Sequence, residues 1–560
     1  MRRHIRWVAI AFAFALVAAA CGSSSDDTTT TTTTTTPPGA TTTTAPPSPD
    51  FVGAVLDAGG CDYGGKIRTI SATDEFTVQF DLCNPDPAFL AKQAFTVFAI
   101  QPEEHLAATG GAPLREPIGT GPYSLVEWVA GDSVVYARND AYYGPKPAHS
   151  TAVLRWATEG AQRLLELQSG NVDGITFPST DDYSVIEADP NTELIGKPEA
   201  NILYVAMTNT FPPWDNPDVR KALAVGIDRQ RLVDQFYPPG SEVASHFTPC
   251  TVENGCEGEA WPAFDLDQAK QLLADAGLAN GFDTTIFYRD VFRGYLPEPG
   301  SVAVDLQDQL ADLGINASIE VMESGAFIAE SQAGNLDGIY LLGWTGDYPH
   351  VTNFMDVHFA ETIEQFGNQD PSYSGPLAAA SIIVDPAESA VLYAEANNAL
   401  REFVPMVPIV HGATAFAFGS DVVGAYAPPW GQVLFHLMDN GDDTFVFMQG
   451  NEPISLFCSD ETDGESLRAC AQVLEALYTY DQVGTPIPQL ATDCSSNDAG
   501  TLWTCSLRQG VVFHDGSTFD ANDVVATFSA GLDAANPLHV GNTGAWTYYE
   551  ALWDRLIRAE

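Results

Sequence analysis

A chain of 560 residues exceeds what one hydrophobic core supports, since cores rarely grow beyond about 250–300 residues, so more than one folded unit is expected. Hydrophobic residues make up 45% of the chain and include 30 Phe, which excludes global disorder. The formal charge of -50 argues against a nucleic-acid-binding surface, which needs basic clusters, and suits a solvated exported protein.

The first element in chain order reads as an export signal: Arg2, Arg3 and Arg6, then the apolar residues 7–20. That run is short for a bilayer span, which takes about 20 residues. It ends in Val17, Ala18, Ala19, Ala20 and Cys21, which look like a lipobox with Cys21 as the lipidated first residue of the mature chain. The alternative is an ordinary signal peptide whose cleavage site happens to precede a Cys. Residues 21–50 are Ser, Asp, Thr and Pro with almost no apolar content, and read as a disordered tether. No second apolar stretch is long enough to span, so the expectation is a membrane-anchored and not an integral protein.

Eight further cysteines remain: Cys61, Cys83, Cys250, Cys256, Cys458, Cys470, Cys494 and Cys505. An even number in an exported chain suggests disulfides, although sequence leaves the connectivity open. Nearest-neighbour pairing is expected, because each pair brackets a turn-rich or hairpin-like segment. A metal site is the competing reading; no CxxC spacing occurs, and none is expected.

From Ile67 two alternating stretches flank Ala72, Thr73, Asp74 and Glu75, as in a hairpin. A strand is expected near residues 125–128, and a short helix ends at Gly170. Residues 204–209 read as a strand, and Asn216 caps a helix that starts with Pro217. Asp265 and Gln268 open a helix that Gly277 ends; residues 302–313 form another that stops at Gly314. Ile315, Ala317, Ile319 and Val321 alternate as a strand, and Asp385 with Pro386 begins a helix reaching about Phe403. Such alternation means an α/β lobe. Strand residues start afresh at Thr444, and a helix is expected over 471–478. Residues 511–513 read as a strand ended by the turn His514, Asp515 and Gly516. Asp520 then caps a helix with Asp523 at its third position, Phe519 and Val524 are spaced as a staple, and Gly531 is the stop signal.

Several of these stretches together resemble the bacterial family 5 solute-binding proteins, the dipeptide- and oligopeptide-binding components of ABC transporters. The passages that carry the resemblance are the glycine turn Gly119, Thr120, Gly121, Pro122 and Tyr123; Arg138 to Gly144; Val172 to Ile175; Asp218 to Arg229; and the strand-turn-helix text from Leu507 to Phe528. The resemblance implies a two-lobed, periplasmic-binding-protein-like α/β clamp (type II, cluster C), a binding function without catalysis, no cofactor, and ABC permease subunits as partners. In the family the strand-turn-helix signature lies near the N-terminus, whereas here it lies near the C-terminus. Each block occurs once, so a circular permutation is the economical account, and a fragmentary tandem gene is the alternative. The expected lobes are residues 51–203 with 412–560, and residues 204–411.

The loop Leu342, Gly343, Trp344, Thr345, Gly346, Asp347, Tyr348 and Pro349 resembles the one in which a family Asp meets the N-terminal ammonium of a bound peptide. Asp347 is therefore the candidate anchor, with Trp344, Thr345, Gly346 and Tyr348 as candidate pocket residues. A carboxylate in a water-poor cleft holds a cation far better than an exposed one. The plainer alternatives are a turn Asp and core aromatics. Arg289 and Arg293 are candidates for a ligand carboxylate, since family members present an Arg from this region; ordinary surface arginines are the alternative. An oligosaccharide ligand stays open because 10 Trp are available. A hydrolase is disfavoured because G-x-S-x-G is absent, and an adhesion module because no repeat is visible.

Overall fold

The computed structural model describes residues 51–198, 200–359 and 363–559. The export signal, the tether and Cys21 lie outside these residues. Among the described residues no helix is long and apolar enough to cross a membrane.

Three main sheets organise the chain. An antiparallel five-stranded sheet runs in the order Val55–Asp57, Ile67–Asp74, Thr77–Leu82, Leu502–Leu507 and Ala491–Ser496. The alternation read at Ile67 is the inward face of this sheet: Ile67, Ile70, Ala72, Val78, Phe80 and Leu82 are buried. Helix Ala521–Leu532 covers it, with Phe528 edge-on to Phe80 at 5.3 Å. Its start is the one read from sequence, since Asp520 and Asp523 exchange both bonds of a capping box. A seven-stranded sheet follows, in which Thr444–Gln449 lies between Thr151–Trp156 and Gly174–Thr176 and runs parallel to both. Residues near the two ends of the chain thus share one sheet, and a late strand fills the middle of another.

The six-stranded sheet takes all its strands from residues 201–411, in the order Glu242–Val243, Met406–His411, Asn201–Met207, Ile339–Thr345, Asp283–Arg289 and Asn316–Met322. The chain passes from the seven-stranded sheet into this one between Lys197 and Asn201, a little before the position read from sequence, and returns between His411 and Thr414. The two crossings are tied together. Asn201 Nδ2 donates to Gly412 O (2.9 Å), Gly412 N donates back to Asn201 Oδ1 (2.8 Å), and His411 Nδ1 reaches Asn201 O (2.5 Å). A buried amide satisfied on both sides fixes the register of the two connecting strands.

The cysteines pair as Cys61–Cys83, Cys250–Cys256, Cys458–Cys470 and Cys494–Cys505. His246 lies beside Cys250 and Cys256, within 4.8 Å for the potential ligand atoms, but both sulfurs are spent in the disulfide.

Three expected elements differ. No helix forms over 471–478; the helix is Gly464–Cys470, capped by Asp463, and Tyr478–Tyr480 is a strand. The carbonyls such a helix would use are taken by other segments: Val473 O accepts from Gly121 N (3.0 Å), Gln472 O from Tyr123 N (3.2 Å) and Glu475 O from Ile100 N (2.8 Å). A Cβ on Gly121 would sit 2.6 Å from Val473 O, which is why the turn carries glycine there. Residues 511–513 make one isolated bridge, Val512 to Thr518, instead of a strand. Gly531 does not stop its helix, which runs to Leu532; it gives Tyr549 room to lie against the helix, since a Cβ would be 2.3 Å from that ring.

Candidate functional site

Strand Ile339–Thr345 is antiparallel to Asn201–Met207 along its whole length and parallel to Asp283–Arg289. Its first five residues are buried, and its carboxyl end emerges beside the carboxyl end of the parallel neighbour. Ligands of open α/β sheets collect at that edge. Here one strand end delivers Trp344, Thr345 and Asp347, and the other delivers Arg289 and, a few residues on, Arg293. All five line one cavity of about 540 Å³, together with Tyr204, Tyr295, His358 and Tyr548. That volume is in the range of small-ligand sites.

Asp347 is held on three sides. Its backbone N–H donates to Asn353 Oδ1 (2.7 Å), and its Oδ2 accepts from Asn353 Nδ2 (3.2 Å). Its Oδ1 accepts from the Tyr548 hydroxyl (2.9 Å), which comes from helix Thr547–Leu552, far along the chain. Each carboxylate oxygen keeps a lone pair. Burial pushes the carboxyl up to about 6, against the pull of the Asn353 and Tyr548 hydrogen bonds. A buried carboxylate with no ion pair among the described residues is a group whose charge awaits a partner.

Neither candidate arginine has an ion pair among the described residues: Arg289 Nη1 donates to Ser324 Oγ (3.0 Å) and Arg293 Nη1 to Phe292 O (2.8 Å). Trp344 stands edge-on to His358 (ring centroids 5.3 Å), whose Nδ1 is bonded to Phe354 O; burial drives this imidazole down to about 4 and keeps it neutral. Gly346 and Tyr348 do not line the cavity. Gly346 lies against Trp430, where a Cβ would sit 2.7 Å from the indole. Tyr348 is buried on the far side of the loop, with Lys92 Nζ 5.6 Å from its ring centre.

Residues 25–366 and 485–548 match the bacterial extracellular solute-binding proteins, family 5 Middle. The chain belongs to this family. Members are solute-binding proteins and not enzymes. Among family 5 relatives, a dipeptide-binding protein of Pseudomonas aeruginosa is 28% identical over 387 residues, 67% of this chain and 72% of that one. Heme-binding protein A of Haemophilus influenzae is 25% identical, over 66% of this chain and 69% of its own. Among solved structures, HbpA2 of Haemophilus parasuis superposes with a TM-score of 0.61 at 26% identity, over 67% of this chain and 75% of that chain. A periplasmic binding protein of Helicobacter pylori in complex with the peptide STSA gives 0.55 at 25% identity, over 65% and 72%.

Against this family 5 frame, sequence reasoning missed Tyr548, Tyr204, Tyr295 and Asn353. Asn353 stands six residues after Asp347, beyond the two- to four-residue spacings at which an Asx side chain is read as a local partner. Tyr548 carried no signal, being 201 residues away in a different segment.

Below the loop, helix Thr352–Phe359 presents Asp356, whose Oδ1 is buried with no partner among the described residues. Burial pushes its carboxyl up to about 7, with Lys66 and Lys92 pulling it down and Asp554 and Asp86 pushing it up; Tyr348 and Tyr393 are its other titratable neighbours. A raised acid takes up a proton on packing, so this contact gains stability as pH falls through about 7. Asp356→Asn is therefore expected to raise the unfolding temperature most at pH 8, by about half as much at pH 5.5, and hardly at all near pH 4. Equal shifts at all three values, followed by calorimetry, would remove Asp356 as the cause.

Proposed function

We propose that this family 5 chain captures short peptides with a free N-terminus between its lobes and delivers them to an ABC importer. The observation that carries the reading is Asp347: a buried carboxylate with open lone pairs and no ion pair among the described residues, in the same cavity as two arginines without an acidic partner there. A peptide's ammonium would complete the carboxylate, and its carboxylate would meet Arg289 or Arg293, leaving backbone groups to pair with strand edges. Relatives described as dipeptide-binding and di/tripeptide-binding proteins support the same solute class. Tyr548 bonds Asp347 from across the lobes, so the anchor is complete only when the lobes are together. The lobes themselves are residues 51–203 with 412–560, and residues 204–411.

Two further features belong to this proposal. The chain is a permuted version of the family order, supported by the pairing of Leu502–Leu507 with Thr77–Leu82 and by the family match falling in two separate segments. It is also a lipoprotein held through Cys21, supported by the sequence before that residue. Cys21→Ala is expected to move the protein from the membrane fraction to the medium or periplasm; retention in membranes would rule out the lipid.

Titration calorimetry of the purified protein with dialanine, trialanine, N-acetyl-dialanine and maltotriose tests the solute class. Micromolar binding, about -8 kcal/mol, is expected for the free-amine peptides, with the acetylated one at least 30-fold weaker. Binding of maltotriose without binding of either free peptide would overturn the assignment in favour of sugars.

A further inference from the structure

Asp460 lies outside the cavity, in the short turn Cys458–Asp460 next to the Cys458–Cys470 disulfide. It is only 4% exposed and makes no ion pair among the described residues. A carboxylate so placed must be stabilised by hydrogen bonds alone. It has four, all from one stretch of chain. Oδ2 accepts from Thr543 N (2.6 Å) and Gly544 N (2.8 Å), and Oδ1 from the Thr543 hydroxyl (2.8 Å) and Trp546 N (2.8 Å). The neighbouring Glu461 adds a fifth tie, Oε1 accepting from Asn542 Nδ2 (2.7 Å).

This grip sets the backbone geometry at the start of the next helix. Trp546 is held at φ 47°, the left-handed region that is costly for a large residue, and its backbone N–H is one of the four donors. It is the residue immediately before helix Thr547–Leu552, so its conformation fixes the helix direction. The second residue of that helix is Tyr548, whose hydroxyl reaches Asp347. A short piece of chain and two sets of hydrogen bonds thus connect Asp460 to Asp347.

We infer that Asp460 is a positioning residue for solute capture: by fixing residues 543–546 it holds the Tyr548 hydroxyl on the Asp347 carboxylate. The inference rests on the reading of Asp347 as the solute anchor. The Tyr548 bond favours the ionised form of Asp347, the form that binds an ammonium. The titratable groups around that carboxylate are Tyr548 and Tyr480, across the cavity Arg289, Arg293, Tyr204, Tyr295, His358 and Glu364, and behind Tyr548 Asp463. Of these, Tyr548 is the one that follows directly on the segment Asp460 holds. Loosening the loop therefore has a signature that a general loss of stability lacks: the acid side of the binding profile moves to higher pH.

The test is calorimetric titration of dialanine from pH 5 to 8 with the full chain, using Asp460→Asn, Tyr548→Phe, the double variant and the milder Thr543→Val. Each of the first two is expected to weaken binding about 10-fold at pH 6 and to move the acid limb upward. The double variant is expected to be no worse than either single one, because both remove the same bond. Thr543→Val, which deletes one of the four donors, should show a smaller shift in the same direction, and it carries the test if Asp460→Asn does not fold. Additive losses in the double variant, or losses with an unmoved acid limb, overturn the positioning role. If Asp347→Asn binds dialanine as tightly as the parent, the anchor reading itself fails; if it binds weakly while Asp460→Asn and Thr543→Val match the parent, only this inference fails.

Discussion

Asp347→Asn is expected to weaken capture of a free-amine dipeptide about 100-fold (~3 kcal/mol), while the ligand-free protein unfolds at the same temperature or a higher one. The two signs are opposite for one reason. Burial makes the carboxylate form of Asp347 costly, which is why its carboxyl rises to about 6. A neutral amide of the same shape removes that cost and keeps a group that can bond Asn353 and Tyr548. It also removes the negative charge that would meet an ammonium at this edge of the cavity. The pH dependence has a definite sign: an acid raised from its ordinary value must be ionised to bind a cation, so affinity falls as pH drops through about 6, and the Asn variant lacks that step. Titration calorimetry and thermal unfolding on the same samples check both. A variant that loses stability and affinity together would mark Asp347 as a structural loop residue.

Asp86→Asn is expected to destabilise the protein by about 3 kcal/mol at pH 7. Asp86 and Lys92 have side chains 2% exposed and a 2.6 Å contact, and Lys92 also donates to Leu552 O (2.9 Å). Lys66, 3.8 Å from Asp86, and Ala88 N, at 2.9 Å, complete the carboxylate, which is held well below its ordinary range by these partners against the cost of burial. Removing its charge leaves a buried ammonium uncompensated, the costly half of a broken ion pair. Lys92 is already driven down to about 8 by burial, so the unfolded chain binds more protons than the folded one between about 8 and 10.5, and stability rises with pH there. Without Asp86 the lysine falls further. The difference between parent and variant should therefore be largest below the pH at which Lys92 loses its proton in the variant, shrink as pH rises from there to about 8, and level off above it. Denaturant midpoints from pH 6 to 9 read this directly; a difference that stays constant across that range would assign the loss to packing and not to charge.

The parts of the fold that sequence made legible are those set by local chemistry. Asp520 with Asp523, Asn216 with Pro217, Asp265 with Gln268 and Asp385 with Pro386 are helix starts written within a few residues, and each forms as expected. The four disulfides join neighbours in the chain, so their brackets were visible too. What stayed hidden depends on distant partners. Residues 471–478 have an apolar text that fits a helix, but their carbonyls are claimed by residues 100, 121 and 123. Gly531 has the look of a stop signal and serves instead as a seat for Tyr549. At the site, the loop around Asp347 was readable because its residues are contiguous, whereas the bond from Tyr548 belongs to a segment far along the chain. Tyr348 shows the limit of reading a loop as a unit, since it and Trp344 point to opposite sides.

A crystal structure of the protein with bound dialanine is the most direct measurement of solute capture at Asp347. The expected result is a peptide in the cavity between the lobes, with its ammonium nitrogen within hydrogen-bond reach of the Asp347 carboxylate beside the Tyr548 hydroxyl, and its carboxylate facing Arg289 or Arg293. A peptide seated elsewhere, or lying in this cavity with its ammonium turned to solvent, would contradict that role for Asp347.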